Sequence, residues 1–167
     1  LMAVTPIVAQ LVGGRNLEEI GVNVRQALWL SLMLAIPVFF LIRNLEIVMH
    51  LLDVTPSLIP IAQGYLDAIS WGIFGVCGYM ALRFFNEGMS VTRPAMYFAA
   101  IGVVVNVIAN YIFMYGKLGF PELGAVGCGY ASSVVGYVMF AGMLIFTMNH
   151  KPYDRFDIFG KFRLPEW

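Results

Sequence analysis

The sequence predicts an all-α membrane protein, built as a polytopic bundle of transmembrane helices. Of its 167 residues, 60% are hydrophobic and 12% are charged, whereas a soluble domain usually carries about 25% charged residues. The mean hydropathy is +0.79. Long apolar runs recur along the chain, and about 20 apolar residues are the length that crosses a bilayer as a helix. These features exclude an ordinary soluble domain.

The apolar runs predict four full spans and one partial span. The first run is too short to cross a hydrocarbon core that needs about 20 residues, so we expect it to be the end of a helix that begins earlier in a longer protein. The spans are expected over residues 1–12 (the partial one), 24–42, 60–85, 94–115 and 125–148. A short interfacial helix is expected after the second span, where apolar residues recur at helical spacing, namely Leu45, Val48, Met49 and Leu52.

Lysine and arginine predict the orientation of these spans. Most of them fall on one side of the predicted bundle, namely Arg15, Arg25, Arg83, Arg93, Lys151, Arg155, Lys161 and Arg163. Only Arg43 and Lys117 fall on the other side. Loops rich in Lys and Arg stay in the cytoplasm, so residues 13–25, a polar loop over 86–93 and the tail 149–167 are expected there.

Three glycines in the span over 60–85 predict a close helix contact. Gly72, Gly75 and Gly78 are spaced by three, which keeps them along one slowly turning face of a helix. Small residues at such spacing let two membrane helices approach closely. We therefore expect a tightly packed neighbour on this face.

The span over 94–115 has no charged residue, and it carries two carboxamides near its middle. Asn106 and Asn110 are four residues apart, and Gly102 continues the same helical face. A carboxamide is costly in hydrocarbon unless its donors and acceptors find partners. The face is therefore expected to look into the bundle or a wet cavity, either as a ligand site or as a polar contact between helices.

Asp67 is the only carboxylate well inside a predicted span. One interpretation is a proton or cation site that faces a cavity. The other is an interfacial acid that is solvated or paired with a neighbour. Arg83 and Glu87, four residues apart at the end of the same span, predict a local ion pair.

The sequence shows no constellation for catalysis. His50 and His150 are far apart in the chain, and no nucleophile or metal-ligand spacing accompanies them. Cys77 and Cys128 lie in or beside apolar runs, which favours packing over a disulfide or a metal site. With zero net charge and no basic stripe, nucleic acid is not an expected partner. We therefore do not expect an enzyme.

Motifs on both sides of the Asn-xxx-Asn helix carry a resemblance to a known family. The helix is followed by YGKLGFPELGAVGCGYASS, a turn rich in Gly and Pro that leads into a new apolar run. TPIVAQLVGGR near the start, ALRFFNEGMSVTRP before the helix and GKFRLPEW in the tail occur in matching order. Together they resemble the MATE (multidrug and toxic compound extrusion) transporters over nearly the whole chain, most closely their NorM-like bacterial branch.

The resemblance implies part of the N-terminal six-helix lobe of a twelve-helix transporter, with residues 149–167 as the cytoplasmic linker between the lobes. It implies a cation-coupled multidrug efflux antiporter of the bacterial cytoplasmic (inner) membrane, which exports organic, often cationic compounds by alternating access. The coupling ion is expected to be Na⁺ or H⁺, and no cofactor is expected. The expected partners are the lipid bilayer, the exported compounds and the remaining helices of the full-length chain.

The resemblance also assigns roles to polar residues of this chain. Asn106 and Asn110 would supply amide oxygens to a cation or substrate site, and such oxygens suit a transiently bound hard ion such as Na⁺. Ser132, on the next helix, is a further candidate, although the family often has Thr there. The family pattern requires no acid at Asp67. In the family an acid on the first helix works with this site, and that helix is expected to precede this chain.

Two other functions stay open at this stage. A lipid-linked precursor flippase of the same superfamily would share the fold, but its cavity is expected to carry several basic residues. A non-transporting membrane scaffold or enzyme subunit would share the apolar spans, and only the Asn pair and the Gly-rich helices argue against it.

Overall fold

The computed structural model describes residues 1–14, 17–51, 55–150 and Tyr153. Regular structure in these ranges is helical, without strands. In chain order the helices are α1 (Val4–Gly13), α2 (Leu17–Arg43), α3 (Glu46–Leu51), α4 (Ile59–Ser70), α5 (Gly72–Gly88), α6 (Arg93–Tyr115) and α7 (Gly124–Asn149). The all-α class predicted from composition is confirmed.

The helices include enough long apolar elements for a polytopic membrane protein. Among the described residues, α2, α6 and α7 are each long and apolar enough to cross a bilayer. A fourth span results if α4 and α5, which meet at an angle of 42°, are counted as one. α1 is a shorter apolar helix. The polytopic helical fold class is thereby confirmed, whereas its division into lobes stays a prediction.

The run over 60–85 is not one straight helix, because α4 and α5 meet at Trp71. The Ser70 hydroxyl donates a hydrogen bond back to the Asp67 carbonyl over 2.7 Å, and such back-bonding by serine bends helices. On the far side of the bend, the Tyr137 hydroxyl donates to the Trp71 carbonyl over 2.8 Å. A side chain of α7 therefore satisfies a backbone group at the break.

The glycine face of α5 packs against α7, as predicted. A Cβ atom added to Gly75 would lie 2.8 Å from the carbonyl carbon of Gly136, and one added to Gly72 would lie 2.7 Å from Ser133 Cα. These distances leave no room for a side chain, so the backbones of the two helices touch. Because the contacts progress in the same direction along both helices, α5 and α7 run parallel.

α6 packs on α7 in the opposite direction. Near the start of α7, Gly127 lies against the backbone of Phe113. Further along α7, Met139 lies against Gly102. Gly116 ends α6 in the left-handed region, with φ of 60°, a conformation that glycine adopts without strain. The two helices thus form an antiparallel hairpin.

A second packed region joins α1, α2 and α5. Its apolar core is built from side chains of all three helices and includes Val8, Ile20 and Phe85, each with no exposed surface. Thr5 of α1 donates a hydrogen bond to the Phe84 carbonyl over 3.1 Å. Tyr153, which follows α7, packs into the same core.

Several sequence-based predictions concern the segments between these helices. The short helix predicted after Arg43 is confirmed as α3, although Leu52 lies outside the described residues. The polar loop predicted over 86–93 is too long, because Asn86, Glu87 and Gly88 belong to α5 and Arg93 begins α6. Asn86 has no exposed surface. The predicted linker over 149–167 lies outside the described residues, apart from Asn149, His150 and Tyr153.

Candidate functional site

The two asparagines predicted as a site contact each other on α6. Asn110 Nδ2 donates a hydrogen bond to Asn106 Oδ1 over 2.9 Å, and both side chains are partly buried. Asn110 Oδ1 is shielded from solvent and has no hydrogen-bond partner among the described residues. An unsatisfied shielded acceptor costs about 1–3 kcal/mol. This oxygen is therefore positioned to gain from a ligand, a water molecule or a donor elsewhere in the protein.

The asparagine pair lies at the margin of the surface that α6 presents to α7. Gly102 and Ala109 are buried on that surface. On the other side of the pair, Val103 and Val107 are 66% and 65% exposed. The polar face therefore borders both the α7 contact and a surface that the described residues leave open.

Ser132 lies at the same depth in the bundle as the asparagine pair. It falls between Cys128, whose Sγ is 3.2 Å from Met114 Sδ, and Val135, which lies beside Gly102. The structure shows no hydrogen bond between Ser132 and either asparagine. Its neighbour Ser133 is the buried hydroxyl, and it donates to the Ala68 carbonyl over 2.7 Å.

Asp67 belongs to a different cluster, at the junction of α2 and α4. Its Oδ1 lies 3.7 Å from Arg43 Nε, with both side chains about 40% exposed. Gln63 Nε2 donates to Asp67 Oδ1 over 3.1 Å and to the Arg43 carbonyl over 2.9 Å. A half-exposed ion pair of this kind is worth about 0–1 kcal/mol. No contact joins Asp67 to the asparagine pair among the described residues.

Sequence reasoning missed the contribution of Gln63 to this cluster. Its Oε1 is shielded from solvent and, like Asn110 Oδ1, has no hydrogen-bond partner in the described part of the chain. The Arg43 guanidinium lies over the Phe39 ring, 5.3 Å from its centroid. No local spacing connects Gln63 with Arg43, because 20 residues separate them.

A buried polar network at the opposite end of the bundle was also missed. Asn86 Nδ2 donates to the Leu82 carbonyl over 2.8 Å and to Thr147 Oγ1 over 3.2 Å. The Tyr153 hydroxyl donates to Asn86 Oδ1 over 2.9 Å. Asn86 thereby links α5 with α7 and with the chain that follows α7. A usable signal existed, because Asn86 continues the packed face of Gly75, Gly78 and Leu82 at spacings of three and four.

Tyr153 is held in this network by its ring as well as its hydroxyl. The ring stacks on His150, with centroids 4.6 Å apart, and lies 5.2 Å from the Phe85 ring. Burial raises the pKa of Tyr153 to about 12. The phenol therefore stays protonated, and remains a donor to Asn86, at all ordinary pH values.

Comparison with known proteins agrees with this helical architecture. The family model MatE matches residues 1–112. Multidrug resistance protein NorM of Vibrio parahaemolyticus is 37% identical over 167 residues, which are all of this chain and 37% of that protein. Multidrug resistance protein MdtK of Yersinia enterocolitica is 39% identical over 168 residues, covering all of this chain and 37% of that protein.

The chain thus spans 37% of the length of these curated relatives. The family match covers more than half of the chain, and the helices it covers are those that the structure shows as α1 to α5 and most of α6. The resemblance that the sequence motifs predicted is confirmed. This chain belongs to the MatE family, and its long apolar helices are those of a multi-pass membrane protein.

Proposed function

We propose that the full-length protein is a cation-coupled efflux antiporter of the bacterial inner membrane, which exports organic, often cationic compounds by alternating access. The observation that carries the proposal is the Asn106–Asn110 pair, which places an unsatisfied amide oxygen on a helix free of charge between Pro94 and Tyr115. The names of the relatives, multidrug resistance proteins, support export of drugs.

The geometry of the pair suggests how it would serve a coupling ion. A Na⁺ between the two Oδ1 atoms would replace the N–H donor on Asn106 Oδ1 and give Asn110 Oδ1 its partner. Amide oxygens suit such a hard cation, but they carry no formal charge, so a carboxylate elsewhere in the protein would have to neutralise it. H⁺ coupling would run through that carboxylate, with the amides as hydrogen-bonding neighbours.

Coupling also requires that the ion bind the two transport states unequally. An ion with equal affinity for the outward-facing and inward-facing states shifts nothing, however tightly it binds. The open side of the pair, next to Val103 and Val107, is the side on which the surroundings can differ between the states. The difference in ion affinity between the two states would therefore arise from the groups that cover this surface in each state.

The proposal predicts that mutating the asparagine pair changes the cation dependence of transport without destabilising the protein. Asn106→Leu and Asn110→Leu in the full-length transporter should keep near-normal membrane levels but weaken the dependence of transport on Na⁺ or on pH. The measurement is dye efflux against Na⁺ concentration and against pH, normalised to transporter in the membrane.

Asn86→Leu is the matched control, because it removes a carboxamide whose partners are all protein groups. It should lower the yield of folded protein and leave the cation dependence of the remaining transporter unchanged. Wild-type cation dependence in both the Asn106 and the Asn110 variants would remove the pair from the coupling site.

A further inference from the structure

A groove lies between the first turn of α6 and the last turn of α7. It has a volume of about 290 Å³ and is walled by apolar side chains, including Val91, Phe98 and Phe146. Arg93, Tyr97 and His150 complete its lining. The groove therefore joins an apolar interior to a polar and cationic border.

The walls of the groove are fixed by packing inside the hairpin. A Cβ atom on Gly142 would lie 2.5 Å from the Phe98 ring, so the ring is seated directly on the α7 backbone. The Phe146 ring packs edge-to-face against the His150 ring, with centroids 5.0 Å apart. The groove is a built feature of the α6–α7 contact, since both aromatic walls are held in place by α7.

The border of the groove carries charge and aromatic groups suited to lipid headgroups. Arg93 is exposed and forms no ion pair with a carboxylate among the described residues. Tyr97 is 61% exposed one turn further along α6, and tyrosine is enriched at membrane interfaces. Arg25 and Arg83 belong to the same predicted cytoplasmic side, where anionic lipids attract cations.

We propose that this groove binds an anionic phospholipid from the surrounding leaflet. The phosphate sits on the Arg93 guanidinium, which pairs with phosphate oxygens in a bidentate manner, and Tyr97 borders the headgroup. The part of one acyl chain nearest the headgroup lies between Phe98 and Phe146. A free phosphate ion would use the cation but not the apolar groove, so the combination of the two favours a lipid.

The test uses the full-length transporter in detergent, titrated with phosphatidylglycerol and, separately, with phosphatidylcholine. Binding is read by native mass spectrometry as the apparent Kd for each lipid. Arg93→Gln should weaken phosphatidylglycerol binding about fivefold and should reduce its preference over phosphatidylcholine. The matched control is Lys117→Gln, which removes one exposed cation from the other end of α6 and should leave both affinities unchanged.

A second variant tests the apolar half of the groove. Val91→Phe narrows it without changing the charge, and should weaken phosphatidylglycerol binding while Arg93 is intact. Unchanged affinity in Arg93→Gln, or an equal loss in Lys117→Gln, would overturn the headgroup assignment. Unchanged affinity in Val91→Phe would show that another segment or protein fills the groove. If inorganic phosphate alone, at the same concentration, competes with phosphatidylglycerol for binding, the groove is a phosphate site and not a lipid site.

Discussion

Two carboxamides in this chain differ in how their hydrogen-bonding groups are satisfied. Asn86 has protein partners on both its oxygen and its nitrogen. Among the residues that the structure describes, Asn110 has a partner for its nitrogen only, and its oxygen is shielded without one. A satisfied buried amide holds helices together, whereas an unsatisfied one leaves an acceptor that a further donor, a water molecule or an ion can satisfy. The same residue type therefore fixes helix packing in one position and leaves an open acceptor in the other.

The hydrogen bond between Tyr153 and Asn86 should be measurable as a coupling energy. In the full-length protein, Asn86→Leu and Tyr153→Phe should each lower the free energy of unfolding. The double variant should lose less than the sum, by about 1 kcal/mol, because either single change already breaks the bond. Denaturation in SDS-containing micelles gives the three values, and strictly additive losses would contradict a shared hydrogen bond.

Burial of the Tyr153 phenol predicts a response to alkaline pH. The folded-state pKa of Tyr153 is raised from 10.0 to about 12, so its contribution to stability is fully present below pH 10.0 and is lost as the pH rises through the folded value. Tyr153→Phe keeps the ring contacts with His150 and Phe85 and removes the titrating group. This variant should therefore lose the Tyr153 component of alkaline destabilisation.

Local spacing predicted only some of these residues. Asn106 and Asn110 were expected on one face because they are four residues apart, and a hydrogen bond joins them. Asn86 was expected in a loop, because polar residues follow it and its partners Thr147 and Tyr153 are 61 and 67 residues away. A single sequence gives no signal for partners at such separations.

At the level of helices, the contact between α5 and α7 depends on residues without side chains. Gly72 and Gly75 bring the backbones of the two helices together, and Gly78 accepts the Phe140 ring. In a membrane, where burial of apolar surface does not drive helices together, such close packing and polar contacts supply the association energy. The bend at Trp71 lies where this contact begins, and it gives α4 a direction different from that of α5.

One added methyl group on this face should separate the two helices. Gly75→Ala would place Cβ 2.8 Å from backbone atoms of Gly136 and Tyr137, which cannot move aside as a side chain would. We expect a loss of about 1–3 kcal/mol of stability, measured as a lower thermal midpoint in detergent. Gly13→Ala is the matched control, because nothing lies within 4 Å of its added Cβ, and it should be neutral within error.

The glycine spacing predicted this contact, but nothing in the sequence predicted the 42° bend beside it. Proline would have marked a break, whereas at this bend the Ser70 hydroxyl donates back to the Asp67 carbonyl and Tyr137 of another helix donates to the Trp71 carbonyl. Serine inside an apolar run is compatible with a straight helix as well. The difference depends on the tertiary partner, which local sequence does not contain.

Across the whole molecule, the Lys and Arg residues that the structure describes fall into two groups, one at each end of the bundle. Arg25, Arg83 and Arg93 lie at the end where α2 and α6 begin and α5 ends, and Arg43 and Lys117 lie where α2 and α6 end. Anionic lipid and the insertion machinery retain positive loops in the cytoplasm. The end that contains Asn86 and the α6–α7 groove is therefore the predicted cytoplasmic end.

Single-cysteine labelling can check this orientation. In a background where Cys77 and Cys128 are replaced by Ala, Lys117→Cys should react with a membrane-impermeant maleimide added to cells with a permeable outer membrane. Ser90→Cys should react only after the inner membrane is opened. Both positions are exposed, Ser90 between α5 and α6 and Lys117 just after α6, so access to the reagent, rather than burial, decides the result. Labelling of both from the same side would contradict the topology.

The bond between Tyr153 and Asn86 also sets an order of events during synthesis. The α6–α7 hairpin brings together neighbours in the chain, and contacts of short separation form early. The Asn86 oxygen can accept the hydrogen bond from the Tyr153 hydroxyl only after 67 further residues have been added, which takes roughly 3–13 s at bacterial translation speeds. A nascent chain that stops short of Tyr153 therefore keeps an unsatisfied carboxamide beside the core of α1, α2 and α5.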